Sequence, residues 1–181
     1  SENIKQGAVG TEKVVSELQK IFSDVKILRM DNDTTGTKNA HQKILNEFKN
    51  SLPAILVGTQ MIAKGHDFEN VVLVGIVDAD QSLFHADYRS TERTFQLITQ
   101  VSGRAGRGGS EGKVVLQTYA PRHYVYKFVS NYDYKGFFRK EENIRQTAEF
   151  PPFSRIIRVL FSNQSENKAL NELKVCYNEI V

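Results

Sequence analysis

Residues 71–77 read Val-Val-Leu-Val-Gly-Ile-Val, seven positions without a polar side chain, and Asp78-Ala79-Asp80 follows at once. A run of that length reads as a strand, and without polar alternation it is a strand that expects cover on both faces. Cover on both faces requires helices above and below a sheet, which points to a layered α/β architecture.

The rest of the chain supplies the other layers. Residues 8–10 can close a short strand, and Thr11 is then placed to cap a helix in which Val14, Val15, Leu18, Ile21 and Phe22 share one face. A helix end left after a strand, with its free N–H groups, is a phosphate site by type; an ordinary capped helix explains the same residues and is the preferred reading. Residues 25–30 read as a strand that ends in the turn-rich polar loop 31–36. A helix over 38–50 turns Ile44, Leu45 and Phe48 inward. Pro53 opens a buried strand at 54–57, residues 88–102 form a helix with Phe95, Ile98 and Val101 inward, and residues 113–118 form a further strand. Strand and helix thus alternate from residue 9 to residue 118, the pattern of an open, mostly parallel sheet with helices on both faces.

Beyond Arg122 aromatic residues crowd in: Tyr124, Tyr126, Phe128, Tyr132, Tyr134, Phe137 and Phe138. Two amphipathic helices at 122–130 and 133–147 that bury many of them are preferred over a stacking surface for nucleic acid, because acidic residues dilute the interleaved Lys and Arg. Pro151-Pro152 breaks the chain. The expected domains are therefore residues 1–148 and the beginning of a small α+β domain at 149–181. That second part has a strand at 156–161 and a helix at 166–181 with Leu170, Leu173, Tyr177 and Ile180 inward.

Two polar stretches carry the chemistry. Gln100-Val101-Ser102-Gly103-Arg104-Ala105-Gly106-Arg107 ends the 88–102 helix. Arg104 and Arg107 project the same way if the helical turn persists, and the glycines let the backbone approach a bound group. Two guanidinium forks without an acidic neighbour in sequence suit phosphate oxygens. The second stretch, Gly58-Thr59-Gln60-Met61-Ile62-Ala63-Lys64-Gly65-His66-Asp67, begins where the strand 54–57 ends. In open parallel sheets ligands bind beyond the carboxyl ends of the strands.

Composition narrows the partners. A net charge of +3, from 24 basic and 21 acidic residues, leaves any nucleic-acid contact local. Cys176 is the single cysteine, which excludes an intramolecular disulfide and a multi-cysteine zinc site within these residues and suits a reducing compartment. No apolar run reaches a membrane span, and Ser1-Glu2-Asn3 lacks the apolar segment of a secretory signal, so a soluble cytoplasmic chain is expected. The abrupt start and end suggest a piece of something larger. His66 reads as a loop hydrogen-bonder, and His41, His85 and His123 lack metal-ligand spacing, so no metal site is expected here.

QVSGRAGR resembles motif VI of the superfamily 2 helicases, and residues 59–67, threonine first and Gly-x-Asp last, are similar to their motif V. Asp78-Ala79-Asp80, Tyr88-Arg89-Ser90-Thr91-Glu92-Arg93-Thr94 and Pro151-Pro152-Phe153 extend the likeness. Together these stretches look like the bacterial primosomal replication-restart helicases over nearly the whole chain. The resemblance implies a RecA-like second motor lobe of an ATP-dependent DNA helicase, with ATP and Mg2+ between it and a first lobe that residues 1–181 do not contain. It implies that Arg104 and Arg107 act as arginine fingers, that Gln100 links nucleotide to DNA, and that Gly65 and Asp67 approach the ribose or couple to motif VI. Gly58, Thr59 and Gln60 would hold the backbone of forked or single-stranded DNA. Implied partners of the full-length protein are primosome proteins and single-stranded DNA-binding protein, in the bacterial cytoplasm at the nucleoid. Zinc is implied for the full-length family, with ligands outside this chain.

No Gly-x-x-x-x-Gly-Lys-[Ser/Thr] stretch is present, so the phosphate cradle and its magnesium-bound hydroxyl are missing, and the chain alone is expected not to hydrolyse ATP. Residues 71–78 imitate a Walker B strand; without a cradle, Asp78 and Asp80 are expected to be loop carboxylates that accept hydrogen bonds or pair with arginines. Val101 and Ser102 replace the basic and apolar pair of the DEAD-box branch. A lobe of another superfamily 2 DNA translocase of the RecG kind, and a non-enzymatic DNA-binding module, are the alternative readings.

Overall fold

The computed structural model describes residues 10–35, 39–59, 62, 68, 70–106 and 111–180. The chain divides into two units, Ser1–Phe138 and Arg139–Val181.

The first unit opens with helix α1, Thr11–Ile21. Its N-cap is Gly10 rather than Thr11, because the Thr11 hydroxyl is engaged elsewhere, donating to Asp31 Oδ2 at 2.5 Å. Val14, Val15 and Leu18 are half-buried as the periodicity requires, whereas Ile21 and Phe22, expected inward, are exposed at the fraying end. Strand β1 (Lys26–Met30), helix α2 (Ala40–Asn50) and strand β2 (Ala54–Gly58) follow. β1 and β2 pair in parallel, from Lys26 opposite Ala54 to Met30 opposite Gly58, with α2 as the crossover that a parallel pair needs. Met30, Leu45 and Phe68 form the core here, with Ile44, Phe48, Leu56, Ile62 and Val71 against it. Phe48 meets Phe68 edge-on at 5.6 Å.

Strand β3 (Leu73–Ile76), helix α3 (Ser90–Ser102) and strand β4 (Lys113–Leu116) form a second parallel unit, Leu73 opposite Lys113 through Ile76 opposite Leu116. Among the described residues the single open sheet of the sequence reading is thus two short parallel ladders. The expected strand at 8–10 lies outside the described residues except for Gly10. The two-faced cover expected for residues 71–77 is also corrected. Leu73 is 58% exposed and Val72 and Val77 are exposed, while Val74 and Ile76 turn inward. Ile76 and Leu116 pack against the core around α3, so the ladder is apolar on both faces and covered on one.

Helices α4 (Tyr124–Ser130) and α5 (Tyr134–Thr147) complete this core. Phe95, Ile98, Val125, Tyr126, Val129 and Phe137 are its buried members, and Phe95 stacks on Phe137 at 4.1 Å. The aromatic run is therefore packing for Tyr124, Tyr126, Phe128 and Phe137, while Tyr132, Tyr134 and Phe138 face water.

In the second unit the expected strand at 156–161 forms no ladder among the described residues, and Ile157 and Leu160 are exposed. Helix α6, Glu166–Ile180, buries none of its residues, so Leu170, Leu173, Tyr177 and Ile180, expected inward, are exposed. Periodicity specifies an apolar face without supplying the surface that covers it.

Candidate functional site

Met30 and Gly58 are the last register partners of the first ladder. A Cβ on Gly58 would collide with the Met30 carbonyl oxygen and the Ile62 side chain, so this approach of two backbones requires glycine. Thr59 is thereby delivered, exposed, at the carboxyl end of β2, where its carbonyl accepts the Ile62 amide at 3.1 Å.

At the carboxyl end of β1 stands Asp31, a buried carboxylate. Its Oδ2 accepts from the Thr11 hydroxyl and from Arg29 Nε at 2.7 Å, and its Oδ1 accepts the Thr34 amide at 3.0 Å. Burial alone would raise its pKa; these hydrogen bonds outweigh burial and hold the carboxyl far below the ordinary carboxylate range. The Asp31 hydrogen bond raises the pKa of Arg29, which also has Glu12 and Asp33 at 3.7 Å each. Glu12 stands in the first turn of α1, where a carboxylate answers the positive helix end, while the Thr11 hydroxyl is spent on Asp31 rather than on a cap. Residue order by itself places Asp31 in a polar loop. The signal that could have found it is an aspartate just after a strand with a threonine three residues on, the makings of a local side-chain turn.

The second stretch lies at the end of α3. The Gly103 amide donates to the Thr99 carbonyl at 3.0 Å, those of Arg104 and Ala105 to Val101 at 3.1 Å and Ser102 at 3.2 Å, and that of Gly106 to Val71 at 2.9 Å. Gly106 has φ 78°, a left-handed turn that ends any helical continuation. The helical turn that would align Arg104 with Arg107 does not persist, because α3 ends at Ser102, and Arg107 lies outside the described residues. The amides of residues 103–106 are thus engaged within the protein, and the Arg104 side chain stands just past a helix end of negative partial charge, where a cation is favoured. Gln100 is exposed on the last turn of α3.

The turn sits at the amino ends of β3 and β4, since Val71 precedes β3 and the Lys113 amide donates to the Val72 carbonyl at 2.9 Å. A helix returning from one parallel strand to the start of the next must end there, so Arg104 departs from the rule of ligands at carboxyl ends. A Cβ on Gly112 would strike the backbone of Ala105 and Gly106, which pins the turn to the opening of β4. Gln60, Gly65, Asp67 and Arg107 lie outside the described residues.

Asp80 is 3% exposed. It accepts from the Thr118 hydroxyl at 2.7 Å, the Tyr119 amide at 2.5 Å and the Tyr126 hydroxyl at 2.6 Å. Burial pushes its pKa up, and these donors, Tyr126 foremost, bring it below the ordinary value. Of the two expected roles for this carboxylate, hydrogen bonding is the one seen. Burial and Asp80 together push the Tyr126 phenol up to about 12. Asp78 has φ 52° and donates its amide to Gln117 Oε1 at 3.4 Å. Asp87 accepts the Arg89 amide at 2.9 Å and the Arg89 side chain at 3.3 Å, with Arg93 at 2.9 Å, and its pKa is lowered to about 2. The Arg89 guanidinium lies over the Tyr88 ring, 5.3 Å from its centre.

Residues 5–109 match the family described as Helicase conserved C-terminal domain. The chain is 46% identical over 169 residues to the replication restart protein PriA of Bacillus subtilis, covering 93% of this chain and 21% of that protein. It is 43% identical over 175 residues to the protein of the same name from Synechocystis sp., covering 95% and 21%. The counterpart from Chlamydia pneumoniae is 38% identical over 169 residues, covering 93% and 23%. The chain spans about a fifth of the length of these curated relatives. Among the described residues no helix is long and apolar enough to cross a membrane.

Proposed function

The chain belongs to the helicase conserved C-terminal domain family, and on that premise we propose that it is the second, RecA-like motor lobe of an ATP-dependent DNA helicase acting in replication restart. Residues 1–148 form the lobe and 149–181 open a further domain. The carrying observation is the match of residues 5–109 to that family by a chain whose relatives are named replication restart proteins. The Gly106–Val71 hydrogen bond supports the reading physically, because it ties the Arg104 turn to the segment that follows the Gly58–Asp67 stretch.

In this reading ATP with Mg2+, bound between this lobe and the first lobe, supplies the energy for translocation. Arg104 and Arg107 place cations at phosphate oxygens, Gln100 links the nucleotide to the DNA side, and Gly65 and Asp67 approach the ribose. Gly58, Thr59 and Gln60 grip the DNA backbone through amides and a hydroxyl, a contact that reads no base and so suits a motor moving along any sequence. A cation at developing phosphoryl charge is worth about 10³–10⁵ in rate, so the fingers govern hydrolysis far more than binding. The full-length protein meets primosome proteins and single-stranded DNA-binding protein in the bacterial cytoplasm, and zinc belongs to parts outside this chain.

The test is Arg107→Ala in the full-length enzyme. DNA binding stays close to wild type while ATP-driven unwinding is abolished; equal loss of both sinks the finger role. Residues 1–181 alone do not hydrolyse ATP, and sustained turnover by them would overturn the assignment.

A further inference from the structure

The buried side of α3 runs Phe95, Ile98 and then Ser102, which is 4% exposed, where the spacing predicts an inward Val101. A hydroxyl therefore occupies a position that packing alone would give to an apolar side chain. Neither Ser102 Oγ nor Thr99 Oγ1, three residues before it, has a hydrogen-bond partner among the described residues, and both atoms are shut off from solvent. The local remedy for such a hydroxyl is a bond to the carbonyl four residues back. Thr94 of the same helix takes it, donating to the Ser90 carbonyl at 2.8 Å, and Ser130 and Thr147 do likewise to Tyr126 at 2.7 Å and Asn143 at 2.9 Å. Thr99 and Ser102 do not. A buried hydroxyl without a partner destabilises, and an apolar group of the same shape in its place would remove that cost.

The place of the two hydroxyls suggests what they are kept for. The Thr99 carbonyl accepts the Gly103 amide at 3.0 Å, and the Ser102 carbonyl accepts the Ala105 amide at 3.2 Å, so both residues belong to the turn on which Arg104 stands. A guanidinium carries five N–H donors in one rigid plane and no acceptor. When one edge of that fork grips phosphate oxygens, the donors behind it need acceptors of their own. A carboxylate there would fix the plane but offset the charge that the phosphate requires. A hydroxyl oxygen fixes the plane and leaves the charge.

We propose that the Ser102 and Thr99 hydroxyls accept from the Arg104 guanidinium when ATP is bound and so aim its fork at the phosphates. They are positioning residues, which act through Arg104 and do not touch the nucleotide. The role rests on the finger reading of Arg104 and adds to it the groups that hold the finger. It also accounts for two hydroxyls at positions where apolar groups would be more stable.

The test reads DNA-stimulated ATPase and urea unfolding of the full-length protein. Ser102→Ala and Thr99→Val each lower kcat roughly 10- to 100-fold, the size of one hydrogen bond to a charged group, with KM for ATP and affinity for single-stranded DNA near wild type. Thr99→Ser keeps the hydroxyl and keeps kcat. Neither hydroxyl-deleting variant unfolds at lower urea than wild type, because the group removed had no partner. A packing role alone would move the unfolding midpoint and leave kcat in place. Unchanged kcat in both deleting variants overturns the positioning role, as does an equal loss in Thr99→Ser, or a lowered midpoint, which would mean that the hydroxyls were already bonded. Arg104→Ala, run alongside, separates the levels. If it leaves kcat unchanged, the finger reading falls and the positioning role with it; if it lowers kcat while Ser102→Ala and Thr99→Val do not, the positioning role alone falls.

Discussion

The Gly106 amide donates to the Val71 carbonyl at 2.9 Å, joining the turn that carries Arg104 to the residue that enters β3. Val71 packs against the Met30–Leu45–Phe68 core, so this one bond ties the end of α3 to the β1–β2 half of the unit.

Gly106→Ala puts a side chain at φ 78°, in the left-handed region, at a cost of about 1–2 kcal/mol. Urea unfolding shows the loss, and ATPase of the full-length variant falls further than stability does because the Arg104 turn shifts. Unchanged unfolding would mean the turn accepts a Cβ without strain.

Gly58→Ala and Gly75→Ala behave oppositely. At Gly58 the new methyl meets backbone, and overpacking costs about 1–3 kcal/mol. At Gly75 nothing lies within 4 Å, so alanine is neutral or stabilises by about 0.5 kcal/mol through the unfolded chain. Paired denaturation curves of the two variants decide it.

Tyr126→Phe takes one donor from buried Asp80 and destabilises by about 1–3 kcal/mol. Its pH dependence has a defined sign. The folded phenol, up at about 12 from 10.0, favours the neutral form, so its contribution is full below pH 10 and disappears as pH rises through about 12. The difference between wild type and variant therefore narrows over that alkaline window, and a constant difference would exclude the linkage.

Asp87 carries the acid-side counterpart. With its pKa lowered from 3.8 to about 2, its stabilisation is present above pH 3.8 and fades as pH falls towards about 2. Carboxyl carbon NMR titration reads that midpoint directly, and Arg89→Ala moves it only part of the way back up, because the Arg89 amide, the largest cause of the lowering, stays while the guanidinium is lost. A midpoint near 3.8 in the wild type would refute the Asp87–Arg89 contact in solution.

Arg104→Lys tests the shape of the cation as well as its sign. A lysine keeps the charge but not the planar fork, so ATPase of the full-length variant stays well below wild type while oligonucleotide affinity holds. Thr59→Ala gives the complementary result, near-normal basal ATPase with a shallower stimulation by DNA.

The alternation of strand and helix, the parallel direction of the strands, the inward series Phe95 and Ile98, and the glycine-punctuated ends of β2 and α3 were readable from residue order, because propensity, periodicity and turn chemistry are local. Tertiary structure alone decided which apolar faces find cover: residues 71–77 and α6 have the pattern of burial, yet Val72, Leu73 and Val77 of the first and Leu170, Leu173, Tyr177 and Ile180 of the second are exposed. It alone decided that Thr11 bonds to Asp31 rather than capping its own helix, that the Arg104 turn falls at the amino end of β3, and that Tyr126 bonds to Asp80. Those outcomes depend on contacts between residues 20 to 46 positions apart, and partner choice at that distance is set by how layers stack, which no local pattern encodes.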